Sequence, residues 1–112
     1  MDMQRNVVLN QDCLAGLKDL PSGSVDLIIT DPPFNIGYLY DEYDDRRSKA
    51  DYLDWCDLWL RECVRTLTDH GSFYLAIGDE YVAEYKIRLD ELGLTMRNWI
   101  VWHYTFGVNC TK

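Results

Sequence analysis

The sequence contains no apolar run approaching the roughly 20 residues that a membrane-spanning helix needs. Its opening residues, Met1-Asp2-Met3-Gln4-Arg5, lack the basic-then-apolar profile of a secretory signal, so the cytoplasm is the expected compartment and no membrane partner is expected. Basic residues are scarce: 11 Lys and Arg stand against 19 Asp and Glu, a net charge of −8. Duplex-binding surfaces usually carry clustered Lys and Arg, because affinity comes largely from neutralising phosphates. No such stripe is present, so any grip on nucleic acid lies elsewhere or is small. The four cysteines, at positions 13, 56, 63 and 110, include no C-x-x-C spacing and meet no His pair that would complete a zinc site. Cys56 and Cys63 stand seven apart on a helical pattern and are expected to face the core as small apolar residues. Asn109-Cys110-Thr111 spells a glycosylation sequon, which carries no weight without a secretory signal. Repeats and low-complexity segments are absent as well.

What is present suits one packed domain or part of a larger one. With 112 residues, 47% hydrophobic and 13% aromatic, the chain is not of disordered composition. A chain of this length can bury roughly two-thirds of its unfolded surface, enough for a single core. Residues 6–9 form a short apolar run that ends in Asn10-Gln11-Asp12, a strand entering a polar loop. Leu14, Leu17 and Leu20 follow at helical spacing, and Pro21-Ser22-Gly23-Ser24 is a turn. Residues 25–30, Val-Asp-Leu-Ile-Ile-Thr, are apolar on both faces after Asp26, as in a central strand covered by helices. Residues 37–47 have no period and mix aromatic side chains with Asp41, Glu42, Asp44, Asp45, Arg46 and Arg47, the pattern of a mobile surface loop. Ser48, with Asp51 three residues on, is a partial capping box before a long amphipathic helix over 49–68, carrying Leu53, Cys56, Leu60, Cys63, Val64 and Leu67. Trp55 and Trp59 lie on a neighbouring stripe. Gly71 precedes a strand over 72–77, a helix over 80–92 stops at Gly93, and Trp99-Ile100-Val101-Trp102 marks a strand over 98–102. Strands alternating with helices predict an α/β fold with a mostly parallel sheet in three layers. The pattern stops just after a strand, as in part of a larger chain or a domain completed by a partner.

In open α/β sheets, ligands gather at the carboxyl ends of the strands. Three such ends carry polar residues: Asp12-Cys13, Asp31-Pro32-Pro33-Phe34 and Gly78-Asp79-Glu80. Pro32 and Pro33 have no N–H, and each proline forces the residue before it into an extended conformation. The product is a stiff loop rich in acceptors and poor in donors, which would repel a phosphate and suit a ligand bearing an –NH2 group. Phe34 sets a ring beside those acceptors, where a flat heterocycle can stack. Alone, Asp-Pro-Pro is an ordinary turn at the end of a strand, with Phe34 buried. Its place after a core strand, with Asp12 at a neighbouring strand end, favours a functional site.

The stretch Val25-Asp26-Leu27-Ile28-Ile29-Thr30-Asp31-Pro32-Pro33-Phe34-Asn35-Ile36-Gly37 resembles the catalytic motif of amino-group DNA methyltransferases. These enzymes transfer a methyl group from S-adenosyl-L-methionine to an exocyclic base nitrogen. Leu9-Asn10-Gln11-Asp12-Cys13 is similar to the Asp-bearing strand end that precedes the motif, residues 67–77 to the following helix-to-strand segment, and residues 99–102 to the next strand. The resemblance implies a Rossmann-like S-adenosylmethionine-dependent fold, with residues 1–112 as the N-terminal catalytic portion of a β-class enzyme, inactive on its own. It implies that Asp31 and the Pro32 carbonyl accept the two amino hydrogens of a flipped-out base. Pro33 would stiffen the loop, Phe34 would stack on the base, and Asp12, Cys13 and Asp31 would lie on the cofactor side. Asp at the first motif position points to adenine N6, with cytosine N4 as the alternative. Duplex DNA is the implied partner, beside a homodimer or a restriction endonuclease counterpart. Two features depart from the family. Its Phe-x-Gly-x-Gly cofactor loop occurs nowhere, which fits truncation, because in β-class enzymes that loop lies towards the C-terminus. Tyr104 stands where many relatives carry a Lys, and neighbouring His103 is read as structural. A degenerate relative serving as a binding or assembly module stays open, as does an amino group on RNA. The Asp-Pro-Pro-Phe spelling argues against protein-amide enzymes, which resemble Asn-Pro-Pro-Tyr.

Overall fold

The structure, a computed structural model, describes residues 5–105, so the sequon at 109–111 and Cys110 lie outside the described residues. Five elements follow in order: α1 (Cys13–Lys18), β1 (Val25–Thr30), α2 (Lys49–Thr66), β2 (Leu67–Leu75) and α3 (Val82–Glu91). None of these helices is long and apolar enough to cross a membrane.

Local chemistry accounts for the boundaries. Asp12 caps α1 by accepting from the Leu14 and Ala15 amides at 3.1 and 3.3 Å. Ser48 caps α2 by accepting from the Asp51 amide at 3.1 Å, which is one half of the expected capping box. The helix stops at Thr66 rather than 68, where Leu67 turns extended. Its last carbonyls do not go unpaired, because the Gly23 and Ser24 amides of the 21–24 turn donate to Arg65 and Thr66 at 2.9 and 2.8 Å. α3 ends as predicted. Gly93 takes φ +92°, its amide donates to Asp90 and the Leu94 amide to Leu89, closing a Schellman motif.

β1 and β2 are parallel and pair Leu27 with Ser72, Ile28 with Phe73, Ile29 with Tyr74 and Thr30 with Leu75. The ladder starts once at Val25 opposite Leu67, then slips, so that residues 68–71 loop out before pairing resumes. Gly71 suits this spot, since a Cβ would stand 2.8 Å from a Leu67 methyl and 3.1 and 3.2 Å from the Thr68 and Val25 carbonyl oxygens. The core lies on one face of this pair. Tyr52, Leu53, Cys56, Trp59, Leu60 and Cys63 of α2 and Tyr85 of α3 are buried, with Leu17, Ile28, Phe73 and Leu75 packed against them.

Three expectations need correction. Residues 6–9 and 98–102 are not strands, and among the described residues the sheet has two strands rather than four. Both segments are exposed, Val8 by 99% and Trp102 by 88%. Strand propensity is a fit to a pleated, half-buried surface, and among the described residues no neighbouring strand offers these runs one. Among the described residues β1 is accordingly not central: it has a partner on one side only, and helices cover one face. Leu27, Ile29 and Tyr74 point away from the core on an open face, so the three-layer arrangement is not formed by the described residues.

Candidate active-site loop

Residues 31–34 leave β1 at its carboxyl end, as the sequence requires. Asp31 is exposed, Pro32 buried, and Pro33 and Phe34 half-buried. Neither proline can donate to a ladder, so the segment has to be held through its carbonyls. The Tyr52 hydroxyl, from the buried face of α2, donates to the Pro33 carbonyl. Among the described residues, the Asp31 carboxylate and the Pro32 carbonyl accept no hydrogen bond from another group, so the acceptors expected to meet an amino group are free.

On the far side of Phe34 the chain is fastened again. Asn35 sits in the left-handed region at φ +59°, a conformation Asn tolerates better than most residues. Its side-chain NH2 donates to the Arg47 carbonyl at 2.8 Å and the Tyr81 hydroxyl at 3.2 Å, while its Oδ1 accepts from the Arg47 amide at 2.8 Å. Asp45, only 2% exposed, accepts from the Asn35 amide through Oδ1 and from the Ile36 and Tyr38 amides through Oδ2, at 3.0, 3.1 and 2.9 Å. Residues 37–47, expected to form a mobile surface loop, are tied down at their base by these bonds. The Arg47 guanidinium lies 4.6 Å from the Tyr43 ring centroid and 5.2 Å from that of Trp55. Tyr40 has its phenol pushed up by burial first, then by the charges of Asp45, Tyr38 and Asp31.

The β2 end meets this loop. A Cβ on Gly78 would stand 3.5 Å from the Phe34 ring, and Phe34, Ile36, Tyr52, Gly78 and Tyr81 help line a cavity of about 40 Å³. Asp79 and Glu80 belong to the same rim. The third predicted end, Asp12-Cys13, follows no strand among the described residues and lies apart. Asp12 commits Oδ2 to capping α1, Oδ1 accepts no hydrogen bond among the described residues, and Cys13 begins that helix with its thiol pushed up by burial and by Asp12. No hydrogen bond or ion pair joins Asp12 or Cys13 to residues 31–34 among the described residues, so the structure unites two of the three predicted ends. No cluster of three or more metal-ligating side chains occurs among those residues. His103 and Tyr104 lie beyond the last helix, outside any element.

Sequence reasoning missed Asn35, Asp45 and Tyr52. Tyr52 was accessible from its spacing, being four residues from Cys56 and eight from Leu60 on one helix face. Nothing in the sequence distinguishes Asp45 from the three other acids around it.

A family model described as DNA methylase matches residues 25–112. The chain is 41% identical over 102 residues to the type II methyltransferase M.HpaI of Haemophilus parainfluenzae, an alignment covering 90% of this chain and 32% of that protein. It is 40% identical to the type II methyltransferase M.BamHI of Bacillus amyloliquefaciens, over 88% of this chain and 23% of the relative. With the DNA adenine methyltransferase YhdJ of Escherichia coli it shares 34% identity, over 97% of this chain and 37% of the relative. The chain thus spans about a third or less of the length of these relatives.

Proposed function

The chain belongs to the DNA methylase family, and from that premise we propose that it carries the base-side half of the active site of an S-adenosyl-L-methionine-dependent DNA methyltransferase. Its target would be the exocyclic amino group of a base flipped out of duplex DNA, adenine N6 foremost and cytosine N4 as the alternative. One observation carries this: residues 31–34 offer two free acceptors, the Asp31 carboxylate and the Pro32 carbonyl, next to an aromatic ring braced from behind by Gly78.

An exocyclic –NH2 has two hydrogens to give. When Asp31 and Pro32 accept both, the nitrogen lone pair is aimed out of the base plane, and Phe34 holds that plane by stacking. Flipping costs a few kcal/mol of unstacking, which contact with the ring offsets. The positive charge that grows on nitrogen during methylation is stabilised by the Asp31 carboxylate, so most of the acceleration is alignment plus electrostatics. S-adenosyl-L-methionine, when bound, supplies the electrophilic sulfonium methyl. The free Oδ1 of Asp12 suits a hydroxyl or amine of the adenosine, Cys13 lies next to it, and Asp31 would face the sulfonium side. Residues 1–112 are proposed as the catalytic portion that carries this base-side loop. A cytoplasmic location, a homodimer and a restriction endonuclease counterpart are the corresponding proposals for its setting.

The test is single-turnover methylation by the complete enzyme, with binding measured separately. Asp31→Ala is expected to lower the rate by two to three orders of magnitude, about 3–4 kcal/mol, while DNA and S-adenosyl-L-methionine still bind. A near-normal rate with cofactor bound would remove Asp31 from catalysis. Product analysis for N6-methyladenine against N4-methylcytosine decides the base.

A further inference from the structure

Resting on that assignment of residues 31–34, we propose that Tyr52 is a positioning residue for the reaction, its hydroxyl holding the Pro33 carbonyl so that Phe34 and the two free acceptors keep their places. The argument starts from hydrogens. The Tyr52 hydroxyl has one, and it goes to the Pro33 carbonyl. The 2.8 Å contact between the Tyr52 and Tyr85 hydroxyls must then use the hydrogen of Tyr85. The 3.2 Å contact between Tyr85 and the Cys56 sulfur must in turn use the hydrogen of Cys56. The chain therefore runs one way, from the Cys56 thiol to Tyr85, to Tyr52, to Pro33, and each hydroxyl both donates and accepts. All three side chains are buried, and burial is the first cause pushing each acid up from its ordinary value, so the three hydrogens stay in place at neutral pH.

The prolines explain why the loop needs an outside donor. A segment without N–H groups cannot be fixed by its own ladder, and a carbonyl turned inwards needs a partner. Tyr52 supplies that partner from α2, while Tyr85 links the same chain to α3. Phe34 is thereby bracketed by Pro33, bonded to Tyr52, and by Asn35, bonded to Asp45, Arg47 and Tyr81. With the Pro33 carbonyl occupied, the Pro32 carbonyl and the Asp31 carboxylate are left as acceptors of the loop without a partner among the described residues.

Tyr52→Phe keeps the ring and its packing and removes only the hydrogen bond. Tyr85→Phe removes a hydroxyl of equal burial but leaves the bond from Tyr52 to Pro33 intact. In ¹⁵N relaxation of the 112-residue chain, the Phe34 amide is expected to fall from an order parameter of about 0.85 to below about 0.6 in Tyr52→Phe and to stay rigid in Tyr85→Phe. In the complete methyltransferase, Tyr52→Phe should lower kcat about 10- to 100-fold with KM for DNA unchanged, and Tyr85→Phe should cost no more than about threefold. A rigid Phe34 in Tyr52→Phe, equal losses in the two variants, or a raised KM with kcat intact would overturn the proposal. Should Tyr52→Phe fail to fold, the wild-type chain decides: a Tyr52 hydroxyl proton protected from exchange supports the bond, and a freely exchanging one overturns it. Asp31→Ala separates the two questions, because intact methylation there defeats the loop assignment while the order of Phe34 still reports on Tyr52.

Discussion

A carboxylate buried without a cation has to be satisfied by neutral donors, and Asp45 meets that demand with the backbone amides of Asn35, Ile36 and Tyr38. These bonds set the path of the chain just after Phe34, so the side chain acts on the candidate site without touching it. Asp45→Ala leaves all three donors without their acceptor and is expected to destabilise the fold by about 2–3 kcal/mol in chemical denaturation. Asp45→Asn has one acceptor oxygen instead of two and should fall between it and the native chain. A loss below about 0.5 kcal/mol for the alanine variant would show that water replaces the carboxylate at little cost. At this scale the sequence was informative where chemistry is written in residue type and adjacency. Asp31-Pro32-Pro33-Phe34 could be read directly because proline removes a donor wherever it stands. Asp45 could not, because its role comes from the amides it meets after folding, and Asp41, Glu42 and Asp44 are chemically the same kind of residue.

Among the elements, α2 does most to organise the molecule. Its buried face carries Tyr52, Cys56 and Cys63, so apolar packing and the hydrogen-bonded chain behind Pro33 share one helix. It was the easiest element to read, since a three-four apolar spacing over so many turns admits no other structure. Its end, two residues short of expectation, was set by the return of Leu67 to pair with Val25, a contact that local pattern does not encode. β1 was recovered to the residue, and α3 within two residues at each end. Burial of α2 also has a consequence at high pH. The Cys63 thiol, 4% exposed, is pushed up from its ordinary 9.0 to about 11, first by burial and then by the charges of Cys13 and Glu62. A group with a raised folded pKa contributes stability that is fully present below its unfolded pKa and lost as pH rises through the folded one. The window is therefore pH 9 to about 11, and the loss across it is about 2–3 kcal/mol. Urea denaturation at several pH values should show a shallower alkaline decline for Cys63→Ala than for the native chain. Equal slopes would mean that Cys63 does not titrate with unfolding.

For the molecule as a whole, the open question of the fold is its number of layers. Leu27, Ile28 and Ile29 are apolar in succession, which predicts a strand covered on both faces. The described residues cover one. Ile28, Phe73 and Leu75 pack against α2 and α3, whereas Leu27, Ile29 and Tyr74 face outwards, Ile29 with 74% of its surface exposed. A layer count depends on which segments meet across the whole molecule, so it could not be extracted from a strand's own residues. The same holds for residues 6–9 and 98–102, whose apolar character made them good strands and which pair with no strand among the described residues. Ile28 and Ile29 are adjacent and chemically identical, which turns the question into a clean comparison. Ile28→Ala removes a side chain packed into the core and should cost about 2–4 kcal/mol. Ile29→Ala removes surface that is already in water, and its cost should stay below about 1 kcal/mol, mostly lost strand preference. Equilibrium urea unfolding of the 112-residue chain measures both, with an unchanged m-value showing that the midpoints can be compared. If Ile29→Ala costs as much as Ile28→Ala, the open face is buried in solution and a two-layer description of the chain is wrong.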